Sequence, residues 1–277
     1  MPLRILAKNI LDGVMPSILQ GTPVAGYPAS NAITTRRSEV SRITSTSAGG
    51  GFHVGQLWYA LPADAKANMI AVARTNLPNA GYVQGIAQNA AFGTLFSGST
   101  SGLGAGDGDL DVMTDETARS INNHAIYSSG GTIYTTVRNV FTDLLTNVNG
   151  GVVEHARAFA GVYKQLALNF AWDWSTAWQD PSTNSRTLAG DLIVSYGGAR
   201  TRELVLPFSY LPEADRAYLA DLARVIGKER DIFISLWPGS GGRLERDHQM
   251  WCRLEIVGEF KNSSLNRYGT SAVFTEC

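Results

Sequence analysis

Three tryptophans within seven residues, Trp172, Trp174 and Trp178, are a group whose type and spacing suggest a chemical task. A flat indole suits the apolar face of a sugar ring, so the group reads as a stacking platform or as an anchor for a core or subunit contact. Arg36, Arg37 and Arg42 form a second cluster, fit for a phosphate or sugar contact, or for a solvated or interface role. Asp107, Asp109 and Asp111 have the D-x-D-x-D spacing of a calcium loop. Val112 and Ala118, however, stand where its glycine and distal glutamate belong, which leaves an acidic tip. His124 and His155 have no second histidine or cysteine at ligand spacing, so a metal site is not expected. Glu203, Glu213, Glu245, Glu255 and Glu259 offer carboxylates for glycoside hydrolysis, but only their separation in space decides that. H-E-x-x-H, C-x-x-C, P-loop and dinucleotide fingerprints are absent. Gly98 to Gly102 puts Thr100 where a nucleophile elbow has serine. The glycine-rich stretch from Pro238 to Gly242 lacks the lysine and helix of a phosphate cradle. No catalytic residue, cofactor or metal is expected.

The elements that must carry these residues read as mainly β. Short apolar runs at Phe52 to Val54, Leu57 to Leu61 and Met69 to Ala73 are punctuated by Pro62 to Asn68 and by Asn76 to Asn79, the rhythm of a β-sandwich. Tyr82, Val83 and Ile86 continue it, then Phe92, Leu95 and Phe96. Ser97 to Asp111 is a glycine- and serine-rich stretch expected to be an exposed flexible loop. Val137 to Val148 has helical spacing at Val137, Val140, Phe141, Leu144 and Leu145. Leu166 to Trp174 alternates as a half-buried strand would, and Leu188 to Tyr196 reads as another strand.

The clearest unit follows. Leu204, Leu206 and Phe208 alternate as a strand; Pro212 opens a helix near 212–226, with Glu213 and Asp215 in its first turn. Tyr218, Leu219, Leu222, Val225 and Ile226 form one apolar stripe, and Gly227 closes the helix. Ile232, Ile234 and Leu236 start a further strand, Met250 to Phe260 another, and Ser271 to Thr275 the last. The fold class expected is a jelly-roll-like β-sandwich over 1–160 and a second β domain with one prominent amphipathic helix over 161–277.

With 277 residues, 44% hydrophobic and 17% charged, the chain can bury a large core. Its formal net charge of −1 gives no basic footprint for nucleic acid. A chain this poor in charge is prone to association, so surface covered in an assembly is expected. No apolar run reaches the ~20 residues of a membrane span. The first twenty residues are broken by Lys8, Asp12 and Gly13, unlike a signal peptide, and Cys252 and Cys277 make no disulfide framework, which fits a reducing cytosol.

Several motifs recur in order along the chain. Asn9-Ile-Leu-Asp12, Tyr27-Pro-Ala-Ser-Asn-Ala32, Arg37-Ser38 and Ala71-Val-Ala-Arg-Thr-Asn-Leu77 open it. Gly197-Gly198, Arg202-Glu-Leu-Val-Leu206, the helix, Trp251 to Val257 and Asn266-Arg-Tyr268 close it. In these parts, roughly the first 80 and last 90 residues, the sequence resembles a group of bacteriophage tail proteins. That group's arginine-led strand and N-P turn have no counterpart between Gly106 and Gly161. The resemblance implies a virion structural protein of the distal tail or baseplate, assembled in the host cytoplasm. Its partners would be copies of itself in a ring (hexamer or trimer) and other tail proteins. A carbohydrate-binding module or receptor-binding adhesin, meeting a host surface glycan, is the alternative.

Overall fold

Strand is the dominant outcome along this chain, as its short apolar runs require. The computed structural model describes residues 3–36, 38–77, 81–101, 123–148, 150–197, 200–240 and 242–277. By its contacts the chain forms two units, Met1–Asn169 with Asp231–Trp251, and Phe170–Arg230 with Cys252–Cys277. The single division expected between 160 and 161 is therefore drawn differently, with 161–169 and 231–251 belonging to unit 1.

Unit 1 is built on an antiparallel sheet ordered Ser17–Gln20, Phe52–Ala67, Tyr134–Thr146, Tyr82–Gln88, Thr94–Ser101, with Thr46–Gly49 also pairing with Phe52–Ala67. Two three-stranded sheets accompany it: His124–Tyr127, Met69–Ala73, Arg157–Gly161, and Val152–His155, Ser41–Thr44, Thr22–Pro23. They pack so closely on the larger sheet that side chains are excluded at the contact. A Cβ on Gly85 would stand 2.9 Å from Ile126 Cδ1, and one on Gly55 would collide with Val153. Leu57, Tyr59, Ile70, Val72, Val83, Val140 and Leu144 fill the space between the layers, a sandwich core.

The returning segment 231–251 is tied in by charge. Arg157, 1% exposed, donates from Nε to Asp231 Oδ2 at 2.9 Å and from Nη2 to Asp12 Oδ1 at 2.6 Å. Trp251 Nε1 donates to the same Asp231 oxygen at 2.8 Å. Phe159 packs on Phe233 and Trp251, with ring centroids 5.6 and 6.4 Å apart. Asp231–Ser235 pairs with Arg4–Leu6, and all five of its residues are buried.

Unit 2 holds an antiparallel sheet in which Arg267–Glu276 pairs with Thr201–Pro212, with Lys261–Ser264 and with the part of Gln249–Val257 that starts at Cys252. Ser175–Gln179 pairs with Thr201–Pro212 on its other side. Leu204, Leu206 and Phe208 point inward at every second residue, as read from the sequence. The helix runs Glu213–Asp221 and ends in a π turn, Leu222–Ile226, with Gly227 at φ 52° as its cap. That wider turn shifts the stripe: Leu219, Leu222 and Ile226 are buried, but Val225 is exposed. Arg202 and Glu276 form a buried pair, Nε to Oε2 at 3.2 Å.

Several expectations need correction. Tyr134–Thr146 is a strand, where Val137 to Val148 had helical spacing. It lies between Phe52–Ala67 and Tyr82–Gln88, and residues 139–146 are buried without interruption, so no period-two signal survives. Phe52–Ala67 runs straight through Pro62, with the register shift taken up between residues 60 and 65. Ser97 to Ser101 is the end of strand Thr94–Ser101; the rest of the expected loop, with Asp107, Asp109 and Asp111, lies outside the described residues. The strand expected over Leu166 to Trp174 is irregular, and pairing begins at Ser175. A short helix, Gly242–Asp247, comes soon after the turn at 238–239, without the lysine of a phosphate loop.

Candidate functional site: a polar cleft and an exposed hairpin

In unit 1 three segments converge on an open cleft of about 390 Å³. Strand Thr94–Ser101 contributes Gly98, Ser99 and Thr100; the edge strand His124–Tyr127 contributes its length, preceded by Asn123; the 239–249 segment brings Gly239, Glu245, Arg246 and Gln249. Glu245 and Arg246 are only 8% and 5% exposed although they bound a solvent-filled space.

Hydrogen bonds hold the floor of the cleft in place. Glu245 Oε1 accepts from the Gly239 N–H at 2.9 Å and from Gln249 Nε2 at 3.0 Å. Asn123 Oδ1 accepts from the Arg74 N–H at 3.0 Å, while its Nδ2 donates to the Gln249 carbonyl at 3.1 Å. Arg74 is buried at φ 57°, a left-handed backbone that a side chain adopts only when its surroundings impose it. His124 shares hydrogen bonds with the hydroxyls of Thr75, 3.2 Å from Nε2, and Thr100, 2.9 Å from Nδ1. Burial, with the Arg246 charge adding to it, lowers its pKa to about 3, so the ring is neutral at physiological pH. A neutral imidazole with both nitrogens engaged is a scaffold group, not a base.

His155 is equally buried but differs in kind. Neither ring nitrogen has a hydrogen-bond partner among the described residues, and burial alone lowers its pKa to about 4. Among the described residues, no cluster of three His, Cys, Asp or Glu side chains could hold a metal ion. Cys252 is buried and Cys277 half-buried.

The two clusters singled out in the sequence fall in different units. In unit 1, Arg36 is exposed and pairs with Glu39 at 2.8 Å. Arg42 is spoken for: its Nε lies 2.5 Å from Glu154 Oε1, its cross-strand partner, and its guanidinium sits 3.8 Å over the Tyr27 ring. Arg37 lies outside the described residues. In unit 2, Trp174 packs edge-on against Phe170 at 5.7 Å, and Trp178 is half-exposed with Arg202 5.6 Å from its ring. Trp172 stands 95% exposed.

Next to the tryptophans in sequence is a hairpin of which sequence reading brought out one strand, expected over Leu188 to Tyr196 and found at Leu192–Ser195, but neither its partner nor its exposure. Among the described residues, Thr183–Arg186 and Leu192–Ser195 pair only with each other, register Asn184 to Val194 and Ser185 to Ile193, closed by a turn in which the Asp191 N–H donates to Thr187 Oγ1 at 3.0 Å. Every strand residue of this hairpin is exposed, Ile193 by 48% and Val194 by 59%. Leu188, Leu192 and Tyr196 are exposed with them. The sequence signal was there, three consecutive aliphatic residues at 192–194, but it reads equally well as a buried strand. The cleft left a weaker trace. Nothing in the spacing of Asn123, Glu245 and Gln249 announces that they meet.

No protein family and no curated protein matches this sequence. Among solved structures, a fucose-binding module of Streptococcus pneumoniae aligns at 11% identity and a TM-score of 0.38, over 57% of this chain and 99% of its own. The lectin domain of lectinolysin, in complex with Lewis B antigen, aligns at 9% and 0.37, over 55% and 95%. Chitosan-binding module 1 of a Paenibacillus sp. IK-5 chitosanase/glucanase aligns at 12% and 0.37, over 55% and 98%. Likeness of this degree assigns neither family nor ligand.

Proposed function

We propose that this chain is a non-catalytic structural subunit that assembles with copies of itself, in keeping with the bacteriophage tail proteins its ends resemble. The observation that carries this reading is the hairpin of unit 2. A lone two-stranded hairpin is marginal in water, and this one exposes Leu192, Ile193 and Val194 on both faces at once. Unpaired strand edges with exposed hydrocarbon are what a protein hides unless another chain covers them. The virion tail tip, the ring and the neighbouring tail proteins belong to the same proposal. Native mass measurement of the purified protein tests it: a closed oligomer is expected, falling to monomer in Ile193→Lys with unchanged circular dichroism. A monomer in the parent protein, at concentrations where Ile193→Lys behaves identically, overturns it.

A second reading, a glycan-binding module or adhesin, is favoured by Trp172 alone, a nearly free indole face open to stacking. Fucose and chitosan oligosaccharides are suitable first probes. Binding lost in Trp172→Ala supports that reading; a glycan array on which the parent protein and Trp172→Ala are equally blank removes it.

A further inference from the structure

The cleft of unit 1 takes no part in the assembly reading, and its construction asks for a separate account. Two opposite charges, Glu245 and Arg246, sit nine-tenths buried around an open space. Burying a charged side chain costs free energy that its hydrogen bonds must offset, so stability alone does not explain their presence. The floor beneath them is rigid, because Glu245 is fixed by Gly239 and Gln249, and Asn123 by a strained Arg74 backbone. Pre-set polar groups facing a cavity are the construction of a binding site.

We infer that this cleft binds an uncharged, hydroxyl-rich small molecule of about one sugar ring. Three features set that class. First, size: about 390 Å³ stands at the low end of ligand cavities, enough for one substituted ring. Second, charge: Glu245 and Arg246 cancel, and His124 adds none, so the walls attract neither anion nor cation as a whole. Third, hydrogen bonding: hydroxyls donate and accept, and the walls offer a carboxylate, a guanidinium, the Gln249 amide and the hydroxyls of Ser99 and Thr100. Ala125, Ile126 and Tyr127 supply apolar wall for the C–H edge of such a ring.

Calorimetry and saturation-transfer NMR on the full chain test this. The probes are glucose, galactose, mannose, fucose and N-acetylglucosamine, with glucuronate and glucosamine as charged controls. At least one neutral sugar is expected to bind in the millimolar range, more tightly than either charged control. Glu245→Gln is expected to weaken it about tenfold, the scale of one hydrogen bond to a charged group. Ser99→Trp changes an exposed strand residue at the cleft and leaves the buried network alone, so it blocks the space without threatening the fold. It is expected to abolish binding, whereas Val225→Ser, at an exposed helix position of unit 2, leaves it unchanged. No binding by any neutral sugar overturns the inference. So does equal or tighter binding of a charged control, or binding that survives Ser99→Trp. Loss of binding in Trp172→Ala would move the site to unit 2 and overturn it as well.

Discussion

The two units of this protein err in opposite directions from a simple oil drop. Unit 1 buries charge: Arg157 with Asp231, Glu154 against a half-buried Arg42, and Glu245 and Arg246 around the cleft. Unit 2 buries its own ion pair, Arg202 with Glu276, yet leaves hydrocarbon outside, at Trp172, Leu188, Leu192, Ile193, Val194 and Tyr196. Buried charges need partners, and in unit 1 those partners come from within the fold. Exposed hydrocarbon is commonly covered by another surface, and in unit 2 the hairpin strands, among the described residues, pair with none but each other. The difference teaches where to look in each unit: unit 1 gathers its buried charges around a polar space, while the hairpin of unit 2 concentrates exposed hydrocarbon, the surface on which the assembly proposal rests.

The hardest test of that contrast is to break the charge network of unit 1. Arg157→Met leaves Asp231 buried without its guanidinium and unties the returning segment. A loss of about 3–5 kcal/mol in chemical unfolding of unit 1 is expected. Pairing it with Asp231→Leu removes the stranded carboxylate and is expected to recover a substantial part of that loss. If Arg157→Met costs no more than an exposed substitution, unit 1 is not held by its buried charge.

A pH titration sharpens the same point. His124 and His155 have pKa values lowered by burial to about 3 and about 4, below the ordinary 6.5. The unfolded chain therefore takes up protons that the folded one refuses, and stability falls as pH drops below 6.5. Asp143 works the other way: burial, partly offset by the Gln56 hydrogen bond, raises its pKa from 3.8 to about 6. It holds a proton in the folded state between those values, so its contribution grows as pH falls from 6 toward 4. Two histidines against this aspartate together contribute a slope of about 1.4 kcal/mol per pH unit between 6 and 4, with acid the less stable side. Asp12, whose pKa is also raised by burial, offsets part of it. Asp143→Asn is expected to stabilise the protein by up to about 3 kcal/mol at pH 7, where the parent holds a buried carboxylate, and to steepen the acid slope. An acid limb unchanged by Asp143→Asn would count against this assignment.

These effects also show how far the sequence could be read. The strand–helix unit of 201–235 was legible because one of its faces is solvated, so burial alternates at Leu204, Leu206 and Phe208. Tyr134–Thr146 was not, because a strand covered on both faces carries no alternation, and its apolar residues happened to fall at helical spacing. Val225 was misplaced by a π turn, which changes the residue count per turn without any special residue to mark it. The tryptophan group was visible as composition, but its members diverge: Trp174 packs on Phe170 while Trp172 stands free. The cleft was illegible, since Asn123 and Gln249 meet only because the segment after Asp231 returns to unit 1. That return depends on Arg157, whose partners lie 74 and 145 residues away.

The smallest expected effect compares one tryptophan from each unit. Trp251 is 1% exposed, packed on Phe159 and bonded to Asp231, so Trp251→Ala opens a cavity and strands a carboxylate lone pair. About 3–5 kcal/mol is the scale of such a loss. Trp172 is larger than most surface residues, yet at 95% exposure it has almost no packing to lose. Trp172→Ser is therefore expected to change unfolding free energy by no more than about 0.5 kcal/mol. Its effect belongs in a different measurement. Removing an exposed indole lowers the apolar surface of unit 2, so self-association or glycan capture should weaken while stability holds. A Trp172→Ser protein that loses stability instead would mean that the ring is packed in solution, and that the exposed surface of unit 2 is smaller than the contrast between the units requires.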